Sequence, residues 1–514
     1  MPLVPTIDSS ETSAIAADNA SAPLSAGQNP TVGFISLGCP KNLVDSEVMM
    51  GLLQQAGARL TTDAQQADVL VVNTCSFIDS AQQESVDTIL EMARLKASGR
   101  AQKLIVAGCL VERYRNDIRA QIPEVDAVVG TGELGAILAA AGLRPPQPAP
   151  STSPFNIITA GSSTSAATPS RPEGDAREKQ GRFDRNEWNS AVAELPTYLY
   201  DDETPRVLST PRASAYIKIA EGCDHPCSFC IIPQLRGKFR SRRFESIVTE
   251  AERLVASGVR ELTLIGQDTT CYGEDLGIKD GLAQLLDRLA AVPNLKWLRF
   301  LYAYPNRITD RLLDVIAAHP NICSYLDVPL QHASPRVLKS MRRGAGADIF
   351  LRTLDRVRSK VPGITLRTSF IVGFPGETAE DFAILSNFVE QAQFDWMGVF
   401  RYSDEEGSSA HSLDAKVPMR TRLAREQRLM ELQQQISRRR KAALLGNTIE
   451  LLVEGESDET PLLWEGRTAM HAPEIDGKVF VNDFGPHDTL VPGTFYSAEV
   501  TETLDHDLVV RIVA

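Results

Sequence analysis

Three cysteines crowd one short segment of the chain. Glu221-Gly222-Cys223-Asp224-His225-Pro226-Cys227-Ser228-Phe229-Cys230 sets Cys223, Cys227 and Cys230 in a C-x3-C-x2-C pattern. Three thiolates in one loop can hold three irons of a 4Fe–4S cluster, because cluster irons favour cysteine sulfur. With no fourth cysteine nearby, one iron stays open to a small chelating ligand. The competing chemistry is structural zinc, which wants four ligands. His225 could be the fourth, but it sits between two of the cysteines, and no second C-x2-C pair or His-x3-His follows at finger spacing.

Three further cysteines follow apolar runs. VGFISL, VLVVN and KLIVA read as buried strands, and Cys39 (LGCPKN), Cys75 (NTCSFI) and Cys109 (AGCLVE) come just after them. Helical spacing over Asn42–Gln55 and from about Ser80 to Ala97 separates the strands, and Ala127–Gly130 could add a fourth. Alternating strands and helices imply a parallel sheet with right-handed crossovers. Such sheets place ligands at one edge, where the strands end, so these cysteines should converge. The plain alternative is three unrelated buried thiols. Cys271 and Cys323 lie in no motif and read as ordinary cysteines.

The elements that must position these groups divide by composition. Residues 1–30, with acids, Ser and Pro where a signal peptide needs a basic start and an apolar run, read as a disordered lead-in. Residues 31–143 form the parallel α/β block with the three strand-end cysteines. Residues 144–210, with PPQPAPSTSP and AGSSTSAATPSRPEG, read as a linker or insertion. Residues 211–441 alternate strand and helix six times, a barrel-like α/β domain with its function expected at the strand C-terminal ends, followed by a connecting helix. Residues 442–514 show short strands between Gly, Pro and Asp, the pattern of a small antiparallel β-barrel.

At 514 residues the chain has room for about three domains, and 43% hydrophobic with 23% charged residues is ordinary globular composition. No stretch approaches the roughly 20 apolar residues that cross a bilayer. The N-terminus lacks a signal-peptide pattern, so a cytoplasmic, membrane-free protein is expected. The net charge of −13 disfavours nucleic-acid binding through global charge and suits a basic partner. Between Ala442 and Ala514 there are 14 acids against 3 Lys and Arg, so the small barrel carries most of that excess. The basic runs Arg236–Arg243 and Arg438–Lys441 read as an RNA contact or a solvated loop, and as a solvated helical face.

C-x3-C-x2-C after the first strand of a six-unit barrel resembles the radical S-adenosylmethionine (SAM) superfamily. From Thr31 onward the chain resembles its methylthiotransferases, which join a three-cysteine domain, a radical domain and a TRAM barrel. SLGCPKNLVDSE, IKIAEGCDHPCSFCIIPQLRGKFRSR, QDTTCYG, DVPLQHAS, TSFIVGFPGET and VFRYSDEEGS resemble the branch that modifies an aspartate of ribosomal protein S-twelve.

The resemblance implies a radical cluster on Cys223, Cys227 and Cys230 that binds SAM and abstracts hydrogen from the aspartate β-carbon. It implies a second 4Fe–4S cluster on Cys39, Cys75 and Cys109 that carries the inserted sulfur. Phe229, Gly266, Gln267 and Gln331 would contact SAM, although Phe229 could equally be core packing. An electron donor such as flavodoxin or ferredoxin is implied, and the S-twelve substrate could be met free or within the small ribosomal subunit. The alternative is a tRNA adenosine methylthiotransferase. Pro40 and Lys41 stand where that branch usually has Gln and Met, and an acidic barrel does not suit tRNA phosphates.

Overall fold

The computed structural model describes residues 29–145, 195–457 and 460–513. The lead-in expected over residues 1–28 and the 146–194 part of the expected linker lie outside them.

The first domain is a five-stranded parallel sheet. Its strands are β1 (Thr31–Ser36), β2 (Arg59–Thr61), β3 (Val69–Thr74), β4 (Lys103–Gly108) and β5 (Ala127–Val129), in the order β2-β1-β3-β4-β5. The helices α1 (Pro40–Gln55), α2 (Asp79–Ser98), α3 (Cys109–Gln121) and the short α4 (Ile137–Ala140) cover it. Strand β3 is buried along its whole length, as a central parallel strand with both faces covered should be. The short edge strand β2 was not anticipated from sequence.

All three cysteines of this domain sit at the carboxyl edge. Cys39 is the N-cap of α1, with Pro40 preset for the first helical turn. Cys75 follows β3 directly, and Cys109 opens α3. Gly108, between β4 and Cys109, has φ +94°, and a Cβ there would meet Asn73 Oδ1 and lie 2.6 Å from the Thr74 carbonyl oxygen. Gly108→Ala is therefore expected to cost about 1–3 kcal/mol, from a strained φ and a backbone collision. A lowered melting temperature would check it.

The second domain is a partial barrel of six parallel strands in chain order. In this domain β6 (Ser214–Lys218) precedes a two-residue pair, β7 (Ala220–Glu221) with β8 (Arg240–Ser241). The barrel continues with β9 (Glu261–Ile265), β10 (Trp297–Phe300), β11 (Tyr325–Asp327), β12 (Thr365–Val372) and β13 (Trp396–Arg401). The sheets β6-β9-β10 and β11-β12-β13 meet through a single parallel bridge, Leu298 to Ile322. Its helices are α5 (Ile232–Arg236), α6 (Phe244–Ala256), α7 (Gly281–Ala290), α8 (Asp310–Ala318), α9 (Pro335–Ser340), α10 (Ala347–Lys360) and α11 (Ala379–Ala392). The long α12 (Met419–Ala442) leads out of the domain.

A closed five-stranded barrel ends the chain: β14 (Thr448–Ser457), β15 (Thr460–Arg467), β16 (Val479–Asp483), β17 (Phe495–Thr503) and β18 (Leu508–Ile512). Four of its pairings are antiparallel, but β16 and β18 run parallel, which corrects the all-antiparallel expectation. Closure in the order β14-β15-β16-β18-β17 brings β16 beside the last strand rather than beside β17. The segment after β15 plugs the amino-terminal mouth of the six-stranded barrel. Arg467 pairs with Glu261, the first residue of β9, at 2.7 Å. The Tyr325 hydroxyl donates to Asp476 and the Trp396 indole donates to the Met470 carbonyl. The small barrel thus lies at the end opposite the cysteines.

Residues 195–210 run between the first two domains. Arg206 pairs with Glu47 of α1 at 2.5 Å and with Glu250 of α6 at 2.8 Å, and Tyr200 is buried beside Glu250.

Candidate active site

The C-x3-C-x2-C loop leaves β7 and is pinned from two sides and by a turn of its own. Cys223 N–H donates to the Gly237 carbonyl, Ser228 N–H to Met341, and Cys230 N–H to Cys227. Burial pushes the Cys223 thiol up to about 11 and the Cys230 thiol up to about 12, and neighbouring loop thiols add to both. Such thiols hold their protons at neutral pH until a metal displaces them. Arg343 Nη1 reaches Cys227 Sγ at 3.6 Å while its other nitrogen donates to the Pro329 carbonyl, leaving a fixed cation beside the loop.

The other three thiols meet at the edge of the first sheet. A Cβ on Gly38 would lie 2.8 Å from Cys75 Cβ, so the Cys39 loop rests directly on Cys75. Burial pushes Cys109 up to about 12 and also raises Cys75. Burial would raise Cys39 too, but the cations Lys41 and Arg236 outweigh it and hold that thiol below its usual range. Arg236 acts on all three thiols. Convergence, and not three unrelated thiols, is what the fold produces.

A single tetrahedral zinc at about 2.3 Å from each sulfur needs its sulfurs within about 4 Å of one another. Among the described residues, only His225, Asp268 and Cys271 bring three potential ligand atoms within 4.8 Å. Neither cysteine set brings its three sulfurs within that distance of one another. His225 is also engaged elsewhere: its Nε2 lies 2.6 Å from Asp268 Oδ2 and its ring stacks on Tyr304 at 4.0 Å. Asp268 accepts from Cys271 Sγ, from Thr270 N–H and from the Thr270 hydroxyl as well. Its carboxylate is filled by hydrogen bonds that tie the cysteine loop to the loop after β9. Cys271 is therefore part of the site's support, contrary to its reading as an ordinary cysteine; Cys323 is simply buried.

The two cysteine sets face each other across α5. Ile231, the residue after Cys230, shares a small buried cluster with Leu235 and Cys109. The Thr131 hydroxyl donates to the Leu235 carbonyl across the same contact. At the far end of α5, buried Arg236 reaches Asp45 of α1 at 3.0 Å and Glu221 at 3.1 Å. Lys218 pairs with the same two carboxylates at 2.5 Å each. Two cations and two carboxylates therefore lock the two domains together beside the thiols.

This network corrects the reading of the basic run. Arg236 and Arg242 are buried, and Arg242 pairs with Glu250 at 2.5 Å, so only Lys238 and Arg243 of that run are exposed. Lys441 likewise leaves the solvated face assigned to it, lying buried with its ammonium over the Trp396 ring.

The four expected SAM contacts are placed around the carboxyl ends of the barrel strands. Gln267, after β9, donates from Nε2 to Glu221 at 3.0 Å, while its buried Oε1 has no partner. Gln331 holds φ +72° with its backbone bonded to Ser369 and Ile371 of β12. A left-handed non-glycine residue is strain of the kind that collects at functional sites. Phe229 packs half-buried against the cluster of Val337, Met341 and Phe374. A Cβ on Gly266 would stay 3.6 Å or more from its neighbours, so crowding within the chain does not require glycine there. Sequence reasoning missed Asp45, Lys218, Arg343 and the Asp268 network, whose partners lie far apart along the chain.

Three family descriptions match the chain: the uncharacterized protein family UPF0004 over residues 31–130, the radical SAM superfamily over 217–389, and the TRAM domain over 445–513. The ribosomal protein uS12 methylthiotransferase RimO of Koribacter versatilis is 65% identical over 94% of this chain and 96% of its own. The protein of the same name from Solibacter usitatus is 56% identical over 94% and 95%. Among solved structures, the radical SAM methyltransferase TsrM of Kitasatospora setae aligns at 18% identity and TM-score 0.46, covering 73% of this chain and 72% of that one. Among the described residues, no helix is long and apolar enough to cross a membrane.

Proposed function

The chain belongs to the family of RimO ribosomal protein uS12 methylthiotransferases, and from that premise we propose that it inserts a methylthio group at the β-carbon of an aspartate of uS12. The observation that carries this reading is the apposition of two three-cysteine sites across α5, with Ile231, next to Cys230, packed on Cys109. On this reading a sulfur held at one site would meet a carbon activated at the other.

Cys223, Cys227 and Cys230 would hold the radical 4Fe–4S cluster, and Cys39, Cys75 and Cys109 a second one, each leaving one iron open. When bound, the cluster and SAM supply one-electron cleavage and hydrogen abstraction from an unactivated carbon, chemistry that no side-chain base offers. The chain's residues hold and orient. The unpartnered Gln267 Oε1 is an acceptor suited to the amino group of SAM. Gln331 fits the ribose or carboxylate, Phe229 the adenine, and Gly266 the methionine end. Arg343 and Arg236 offset the negative charge of the two sites.

The reaction belongs in the cytoplasm with the ribosome, and it needs an electron donor such as flavodoxin or ferredoxin. The basic ribosomal protein suits the acidic barrel, whose net charge is −11. The test is intact mass and peptide mapping of uS12 from cells with and without this gene. A methylthio aspartate that disappears with the gene is expected. An unchanged uS12, with a methylthio nucleoside lost from tRNA, would overturn the choice of substrate.

A further inference from the structure

Most buried cations among the described residues are paired with carboxylates. Of the seven buried Lys and Arg side chains among the described residues, Lys218, Arg236, Arg242, Arg299 and Arg467 have carboxylate partners within 4 Å. Lys41 and Lys441 have none. Lys441 caps the junction between α12 and the small barrel, donating to the Asp505 carbonyl. Lys41 instead stands between the Cys39 thiol and the loop after β9. It is 8% exposed, and its ammonium lies 3.4 Å from the Gly266 carbonyl oxygen and 3.4 Å from the centre of the Tyr302 ring.

That position joins the two halves of the site. Lys41 stands two residues after Cys39, in the first turn of α1, and reaches across the domain boundary to the loop after β9. Tyr302 presents its ring from a left-handed backbone, φ +63°, held by a hydrogen bond from its N–H to Asp327. Strain is thus spent on placing a π face beneath an ammonium. The polar neighbours of Lys41 are the Gly266 carbonyl, Tyr302 and the Cys39 thiol, and no carboxylate lies within 4 Å, so this buried ammonium can take one from a ligand. Arg236 stands beside all three thiols of the first domain, and Lys41 faces Cys39 while also reaching the radical domain.

We propose that Lys41 is the counter-ion for the side-chain carboxylate of the substrate aspartate, fixing its β-carbon between the two cysteine sites. This rests on the function proposed above, in which an aspartyl side chain enters the cleft. The incoming carboxylate completes the charge pairing that every other buried cation near the site already has. An asparagine of the same shape could not.

The test is binding of purified uS12 to the anaerobically reconstituted enzyme, with the target residue as aspartate or changed to asparagine. The wild-type enzyme is expected to prefer the aspartate form on the order of ten- to a hundred-fold. Lys41→Met should remove that preference by weakening only the aspartate form, while iron content and the cluster electron paramagnetic resonance signals persist. Lys41→Arg should retain most of it. A wild-type enzyme that binds both forms alike, or a Lys41→Met enzyme that still discriminates, overturns the proposal. If the wild-type enzyme binds neither form, the function reading itself fails, and this one with it.

Discussion

Replacing Cys227 with alanine is expected to reduce cleavage of SAM to background, whereas replacing Cys39 should leave cleavage intact and stop only the methylthio product. The Cys227 change is structurally mild. The thiol is half-buried and its one side-chain partner is Arg343 Nη1 at 3.6 Å. Arg343 stays anchored by the Pro329 carbonyl and by the Tyr304 ring at 4.4 Å, and the backbone bond from Cys230 to Cys227 does not involve the side chain. Folding stability should therefore move by no more than about 1 kcal/mol, so lost activity would report lost chemistry. Each variant should bind about half of the wild-type iron, because each removes one of three thiolates from a different cluster. The measurement is 5′-deoxyadenosine formed under a chemical reductant, beside iron per chain. Cleavage that survives Cys227→Ala would displace the radical cluster from the loop assigned to it. Cleavage lost with Cys39→Ala would mean that the two sites do not act separately.

What could be read from sequence was the chemistry that local pattern encodes. C-x3-C-x2-C is one loop, and a cysteine just past each of three buried runs needs only the parallel-sheet rule to become a site. The partners that hold those cysteines could not be read, because they are long-range. Asp45 meets Lys218 across 173 residues, and Asp268 meets His225 across 43. Arg236 and Arg242 looked like a solvated or RNA-facing run because charge density is visible in sequence and the matching carboxylates are not. In the small barrel, the parallel pairing of β16 with β18 follows from closure, not from local propensity.

Arg236→Met should both loosen the domain interface and lower the reduction potential of the cluster proposed on Cys39, Cys75 and Cys109. In the wild-type protein, Asp45 and Glu221 share two cations, Lys218 and Arg236, all four of them buried. Methionine fills much of the volume but leaves two carboxylates on one ammonium. Removing one partner from a buried ionic network typically costs about 3–5 kcal/mol, since the charge left behind stays desolvated. The loss falls on contacts between α1, β6 and α5, so the apoprotein should melt several degrees lower. The electrostatic effect is separate. Arg236 is the cation that acts on all three thiols, and a positive charge favours the reduced, more negative cluster. At an effective dielectric constant of about 20 and several ångströms' separation, its removal is worth on the order of 50–100 mV. Redox titration followed by electron paramagnetic resonance would measure that shift, and Arg236→Lys should restore the potential more fully than the stability, because lysine supplies the charge without the two-pronged geometry. A potential that stays put while the melting temperature falls would confine Arg236 to the domain interface.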